Sequence, residues 1–330
     1  MAVSIADIQK LRKMTGAGLS DCKKALTETE GNFDKAVEII REKGQAIAAK
    51  RSDRETSNGC VLVKYADNFG AIVALKCETD FVANGVDYIK LTQDILDAAV
   101  AAKAKSLDEV KELTLADGTK VLDAVVARSG ITGEKMELDG YNFIEGENIS
   151  TYDHMGKHTL CTMVQTNKAA EEQAHAIAMQ VAAMKPMFLD EASVSQEFIE
   201  EEKKVAAEKT KQELVQKAVD AALKKAGINP AHVDSEEHME SNMGKGWITA
   251  EDVAKAKEII ATVSAEKAAN LPAQMIENIV KGRINRIYKE NCLLNQEFIQ
   301  DSKLSVADYL KAADKDLTVV DFKRFSLSAD

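Results

Sequence analysis

Short amphipathic runs separated by glycine-containing breaks make up the N-terminal part of the chain. The first run places apolar residues at helical spacing behind Ser4, a residue type that caps helices. Breaks at residues 15–18 and 31–32 separate it from two further runs of the same spacing, and the third run ends at Gly44. Residues 1–48 therefore predict a small three-helix domain, a size typical of docking modules rather than enzymes.

A polar, charged run at residues 49–58 lacks apolar periodicity and predicts a linker. Two β-rich runs follow at 60–65 and 71–77, on either side of a turn-forming cluster at 67–70. This pattern is typical of a β-hairpin. Beyond it, apolar residues that fall on one face predict a long helix over 86–104.

A strand-like run followed by an alanine-rich helical run recurs over residues 159–184. Residues 77–80 (Cys-Glu-Thr-Asp) align with 164–167 (Val-Gln-Thr-Asn), which indicates an internal repeat of two α+β units. The two copies differ after the polar residues, where the first has Phe81 and the second has Lys168. A shared structural need would call for the same residue type, so Phe81 is a candidate for a local role.

Charged helical patterns with an apolar stripe cover residues 192–226 and 250–288, and we expect Pro272 to interrupt the second. Segment 227–249, which contains glycine and proline, predicts a loop between them. Together they predict an antiparallel helical hairpin, a candidate for self-association as a homodimer. Residues 292–327 predict a short strand, a helix and a final strand.

Composition and charge narrow the class of function. Lys+Arg 43 against Asp+Glu 54 leaves a net charge of -11, which argues against direct nucleic-acid binding and against an anionic membrane surface. The sequence contains no run of about eighteen apolar residues and no signal-peptide pattern. The five cysteines lack CxxC or zinc spacing, so we expect reduced, mostly buried thiols and a cytoplasmic location.

No catalytic, nucleotide or metal motif is complete. Residues 16–21 lack the third glycine of a dinucleotide fingerprint, and residues 243–246 lack parts of a P-loop. His154 and His158 are four residues apart, but Met155 stands where a zinc protease needs glutamate. We therefore expect no catalytic residue, no metal and no cofactor, and a protein that acts by binding rather than as an enzyme.

Residues 79–82 (Thr-Asp-Phe-Val) admit two interpretations. In one, Thr79 or Asp80 caps the following helix and Phe81 is its first core residue. In the other, Asp80 and Phe81 form an acidic and aromatic pair at a strand-to-helix corner, free to insert into a partner. Aromatic anchors of this kind often carry protein interfaces. The pattern leaves both interpretations open.

Four motifs resemble the bacterial elongation factor Ts family. Residues 11–18 (Leu-Arg-Lys-Met-Thr-Gly-Ala-Gly) with 21–26 (Asp-Cys-Lys-Lys-Ala-Leu) are similar to its N-terminal signature. Residues 77–83 (Cys-Glu-Thr-Asp-Phe-Val-Ala) are similar to its second signature, and 175–186 and 281–298 resemble two further motifs in the family's order. The motifs span almost the whole chain.

The resemblance implies a translation elongation factor that acts as the guanine-nucleotide exchange factor of elongation factor Tu. It implies that the motif Thr79, Asp80, Phe81 and Val82 binds the GDP-loaded partner, with Asp80 and Phe81 inserting near the nucleotide's magnesium site. GDP release follows, and the factor stays bound until GTP binds.

The resemblance also implies partner contacts outside that motif. Arg12 and Leu19 match N-terminal positions that touch the partner's nucleotide domain, and His154 matches a contact of the second subdomain. Residues 157–160 depart from the family's pattern of an arginine followed by apolar residues and glycine, and Ser20 replaces an apolar residue found in some relatives.

The predicted fold class is α+β, with a core of two α+β subdomains. The resemblance implies that the three-helix domain is UBA-like (ubiquitin-associated-like) and that the hairpin interrupts the second subdomain. The expected boundaries are residues 1–48 for the three-helix domain, 49–58 for the linker, 59–140 for the first subdomain, 141–191 with 289–330 for the second, and 192–288 for the hairpin insertion.

Two other classes of protein compete with an exchange factor. A scaffold protein would use the hairpin to dimerise and the three-helix domain to dock peptides. An enzyme would need a site that the motifs do not reveal. Nucleotide release from a purified GTPase distinguishes an exchange factor from both.

Overall fold

The computed structural model describes residues 3–328, which form two compact units, residues 3–189 with 293–328 and residues 190–292. Both helices and antiparallel sheets are present, which confirms the α+β class. Within the described residues, none of the helices combines the length and apolarity needed to cross a bilayer. All five cysteines are free and buried, as their spacing predicts.

The N-terminal part of the first unit has its own small core. Its helices are α1 (Ile5–Thr15), α2 (Leu19–Glu28) and α3 (Phe33–Lys50). Ser4 caps α1 as predicted, because its hydroxyl accepts the backbone N–H of Asp7 while the Asp7 carboxylate bonds back to Ser4. Leu11, Cys22 and Leu26 are fully buried between the helices.

Helix α3 continues through Gly44, so the predicted end at that residue is wrong. Gly44 packs against α7: a Cβ at Gly44 would lie 3.2 Å from the Val126 carbonyl oxygen, and a Cβ on Gly130 would lie only 2.5 Å from the Gly44 Cα. The two backbones therefore approach too closely for any larger side chain at Gly130. Because α3 reaches Lys50, the irregular connection covers residues 51–57 rather than 49–58.

The first core subdomain is a three-stranded antiparallel sheet in the order β1-β2-β3, covered by helices. Its elements are β1 (Asn58–Ala66), β2 (Phe69–Cys77), α4 (Asp80–Ala83), α5 (Val86–Ala102), α6 (Leu107–Glu112), α7 (Val121–Thr132) and β3 (Met136–Glu145). The predicted hairpin is confirmed, with Asp67 and Asn68 at positive φ in a two-residue turn. β3 pairs with β2 along its length, so the predicted boundary at residue 140 falls inside this sheet.

The second core subdomain repeats this plan. Its elements are β4 (Ile149–Asp153), β5 (Leu160–Thr166), α8 (Glu171–Met184), β6 (Glu297–Phe298), β7 (Asp301–Ser305), α13 (Val306–Ala313) and β8 (Val319–Ser326). The sheet order is β4-β5-β8, and its central strand leads into α8 as β2 leads toward α5. The internal repeat is therefore confirmed at the level of topology.

The second unit consists of helices only. They are α9 (Gln196–Lys225), α10 (Glu236–Gly244), α11 (Ala250–Ala269) and α12 (Ala273–Asn291). The predicted interruption at Pro272 is confirmed, since α11 ends before it and α12 begins after it. The predicted loop at 227–249 is wrong in part, because it contains α10, whose N-terminus is capped by Ser235. Within segment 227–249, Ile228, Val233 and Met239 are buried in a small local core together with residues of α9 and α11.

Candidate partner-binding site

The corner between β2 and α4 places the motif that the sequence singles out. β2 ends at Cys77, and the next helical residue is Asp80. Thr79 is extended (φ -123°, ψ 153°), and its hydroxyl accepts the backbone N–H of Val82 at 3.4 Å, so Thr79 is the N-cap. α4 stops after one turn, where the Asn84 side chain donates to the Asp80 carbonyl at 2.8 Å.

Phe81 is 87% exposed at this corner, one of the most exposed large apolar side chains among the described residues. Ala83 is buried and Val82 is partly buried against the core of the first subdomain, so α4 turns those two residues inward. Each of the two interpretations is therefore right about one residue. Thr79 caps the helix, as in the first, and Phe81 points to solvent beside the exposed Asp80, as in the second.

Thr79 is held from outside by Glu134, the second residue after α7. One Glu134 carboxylate oxygen accepts the Thr79 hydroxyl at 2.6 Å, and the other accepts the Thr79 backbone N–H at 3.1 Å. Because the hydroxyl hydrogen is used by Glu134, the oxygen's lone pairs face the α4 N–H groups. The cap therefore has one orientation.

Glu78 anchors the other side of the corner. Its carboxylate accepts the backbone N–H of Lys135 at 2.6 Å and ion-pairs with Arg51 and Arg54, each at 2.9 Å. The Glu78 side chain is only 14% exposed. The Lys135 N–H bond, with the two guanidinium groups, lowers the pKa of this carboxyl to about 2. The side chain of Asn58 donates to the Glu78 carbonyl at 2.9 Å.

Asp80 also borders a cleft of about 220 Å³ that reaches the segment after His154. Lys157 and His158 line the same cleft. The His158 carbonyl accepts the Val61 N–H at 2.7 Å, which ties this segment to the first sheet. The structure thus brings the motif at 79–82 next to the segment that departs from the family pattern.

His154 lies just before that segment, in the single 3₁₀ turn that follows β4. Its Nδ1 lies 3.1 Å from the Tyr152 hydroxyl, and the two rings meet edge to face. His154 is half-buried, whereas the neighbouring Met155 is exposed with a left-handed backbone (φ 58°). Tyr152 therefore fixes the orientation of the His154 ring.

Arg12 and Leu19 lie on different elements of the N-terminal domain. Arg12 is exposed in the last turn of α1, and Leu19, 50% exposed, begins α2. The domain that carries them contacts α7 through Gly44 and Gly130, and Arg41 of α3 lies 3.8 Å from Asp123 of α7.

Sequence reasoning missed the residues that hold the corner. Glu134 lies 55 residues from Thr79, and Arg51 and Arg54 lie 27 and 24 residues from Glu78. No local pattern signals pairs at such separations. The sequence hints at these ion pairs only through the charged residues of the connection, and an ordinary solvent-exposed linker is charged in the same way.

Comparison with known proteins settles the family. The model of the family described as Elongation factor TS matches residues 78–226 and 216–329. This chain belongs to the elongation factor Ts family. A relative named elongation factor Ts from Bacteroides fragilis is 68% identical over 331 residues, with 100% of both chains covered. Relatives of the same name from Bacteroides thetaiotaomicron and Porphyromonas gingivalis are 66% and 43% identical, again over 100% of both chains.

Family membership confirms the resemblance drawn from the four motifs and makes the chain a translation elongation factor. The first matched segment begins at Glu78 and therefore includes the corner that carries Phe81. Across residues 3–328, no three side chains of His, Cys, Asp or Glu form a group that could hold a metal ion.

Proposed function

We propose that this chain is the guanine-nucleotide exchange factor of elongation factor Tu. It binds the GTPase with GDP, inserts Asp80 and Phe81 near the nucleotide's magnesium site, promotes GDP release and stays bound until GTP binds. The observation that carries the proposal is Phe81, 87% exposed at a corner whose cap and carboxylate anchors hold it in place. An apolar ring held outside its own core is suited to bury itself in a partner.

The energetics follow from linkage between two ligands of one GTPase. A factor that binds the nucleotide-free form better than the GDP form weakens GDP binding by the same free energy. Phe81 supplies a contact that only the displaced form accepts. Asp80, exposed beside it, acts on the charge balance around the magnesium ion without ligating a metal itself.

Further contacts with the same partner are assigned to Arg12, Leu19 and His154. Arg12 and Leu19 are exposed on the proposed UBA-like domain, which docks on the GTPase's nucleotide domain. Tyr152 orients the His154 ring, and the segment just after His154 lines the same cleft as Asp80. The factor works in the cytoplasm, with elongation factor Tu rather than nucleic acid or membrane as its target.

The test is the rate of GDP release. Elongation factor Tu is loaded with fluorescent GDP, mixed with excess unlabelled GDP, and followed by stopped flow with and without this chain. We expect release to accelerate with the concentration of the chain and then saturate. A release rate that stays at the spontaneous value across the concentration range would overturn the proposal.

A further inference from the structure

The corner that presents Phe81 is held by residues outside its own segment. α4 has only four residues, and an isolated single turn is unstable because nucleation costs more than its few hydrogen bonds return. Besides the packing of Val82 and Ala83 on the core, this turn is restrained by Glu134 on Thr79 and by the surroundings of Glu78. Glu134 adjoins α7, which contacts the N-terminal domain, and Glu78 binds two arginines that follow the last helix of that domain.

Glu134 follows α7 directly after Gly133, which ends the helix in a left-handed conformation. The same helix is the platform for the N-terminal domain. Gly130 meets Gly44 of α3 there, and a Cβ on Gly16 would lie 3.1 Å from the Ile131 side chain. A shift of the N-terminal domain would therefore move contacts that lie within four residues of Glu134.

Glu78 gives a second connection. Arg51 and Arg54 follow the last residue of α3, and both bind the Glu78 carboxylate. Lys135 closes this link from the other side, because its ammonium group donates to the Arg54 carbonyl at 2.9 Å. The segment expected to be a plain linker is thus fastened to the residue before Thr79.

We infer that Glu134 and Glu78 are positioning residues for Phe81, and that through them the seating of the N-terminal domain on α7 sets the geometry of the Asp80–Phe81 pair. The inference rests on the proposed function, since its activity readout is nucleotide release. The physical reason is preorganisation. A restrained turn presents the ring without loss of backbone freedom at the moment of binding, whereas a loosened turn loses that freedom then.

The test uses the full chain with Glu134→Ala and Glu134→Gln. Alanine removes both bonds to Thr79, whereas the glutamine amide oxygen still accepts the Thr79 N–H and its NH2 group donates to the Thr79 hydroxyl oxygen. We expect Glu134→Ala to slow GDP release about tenfold when the concentration of this chain is low. The reason is that ordering the backbone of one residue on binding lowers the affinity by roughly that amount. Glu134→Gln should recover most of the rate. Unchanged release with Glu134→Ala would overturn the inference.

A double variant separates positioning from general damage. If Glu134 acts through Phe81, Glu134→Ala should slow release no further in a Phe81→Ala background. Slowing of the same size in both backgrounds would overturn the inference. Hydrogen exchange of the amides at 79–83 gives a readout without the partner: we expect faster exchange in Glu134→Ala, and wild-type protection there would also count against it.

Glu109 supplies the matched control. Its carboxylate accepts the Lys105 backbone N–H at 2.7 Å, close to the Glu145 end of β3, whereas the corner lies at the Met136 end. Glu109→Ala should leave release unchanged. If the wild-type chain itself fails to accelerate release, the proposed function fails, and the exchange data at 79–83 still decide whether Glu134 restrains the corner.

Discussion

Glu134 receives both hydrogen bonds that Thr79 can donate, from the hydroxyl at 2.6 Å and from the backbone N–H at 3.1 Å. The Thr79 oxygen is thereby left to accept from Val82 and to cap α4. One carboxylate, 55 residues away in sequence, therefore determines how the turn that carries Phe81 begins. The backbone that carries Phe81 is therefore restrained, although the ring itself is exposed to solvent.

Replacing Phe81 by alanine should slow GDP release far more than it lowers stability. A buried phenylalanine costs about 3–5 kcal/mol on truncation, but a surface residue costs within about 0.5 kcal/mol, and Phe81 is 87% exposed. Stopped-flow release and thermal unfolding of the same preparation check this. Val320→Ala on β8, which shortens another exposed apolar side chain, is the control. A large drop in Tm with normal release per folded molecule would contradict it.

Glu78 should make stability depend on pH in the acid range. Its folded pKa of about 2 lies below the ordinary value of 4.5, so its contribution is fully present above 4.5 and is lost as pH falls toward 2. The difference in free energy of unfolding between wild type and Glu78→Gln should therefore shrink on acidification. Urea titrations at neutral pH and at several acid pH values measure it. A constant difference across this range would show that the charge of Glu78 contributes nothing.

Gly130→Ala should destabilise the first unit and weaken the seating of the N-terminal domain. The new methyl group would meet the Gly44 Cα at 2.5 Å, and overpacking of this kind costs about 1–3 kcal/mol. Gly282→Ala is the matched control in α12, where a Cβ meets nothing within 4 Å and the loss of backbone entropy in the unfolded chain should stabilise by roughly 0.4–1 kcal/mol. Chemical denaturation of both variants checks the opposite signs.

Excision of residues 190–292 should leave the core folded and test self-association through the predicted hairpin. The Leu293 N–H donates to the Phe188 carbonyl at 2.8 Å and the Leu294 N–H to the Leu189 carbonyl at 3.0 Å, so the cut ends already lie side by side. A short Gly/Ser turn can therefore join them. We expect a dimeric mass for the full chain and a monomeric mass for the excised one by light scattering. Equal association states, or an unfolded core, would rule this role out.

Local chemistry was sufficient to predict several elements. Ser4 followed by Asp7 predicts the cap of α1, and the cluster at 67–70 between β-rich runs predicts the hairpin, because each signal acts within about three residues. The turn itself is shorter than that cluster, since Phe69 and Gly70 already belong to β2. Pro272 breaks a helix for the same reason. The predicted helix end at Gly44 is wrong because glycine not only ends helices by its backbone freedom but also allows two helices to touch, and that second use depends on Gly130.

The sequence by itself determined the family, the repeat and the identity of the motif at 79–82, since these depend on the order of residues along the chain. Only the tertiary structure decided that Thr79 caps the turn while Phe81 stays in solvent. Whether a side chain is covered depends on which distant segments pack over it, and the segments that pack here place Glu134, Arg51 and Arg54 beside the corner and leave the ring uncovered. Such pairings arise from packing across 24 to 55 residues, which no local pattern encodes.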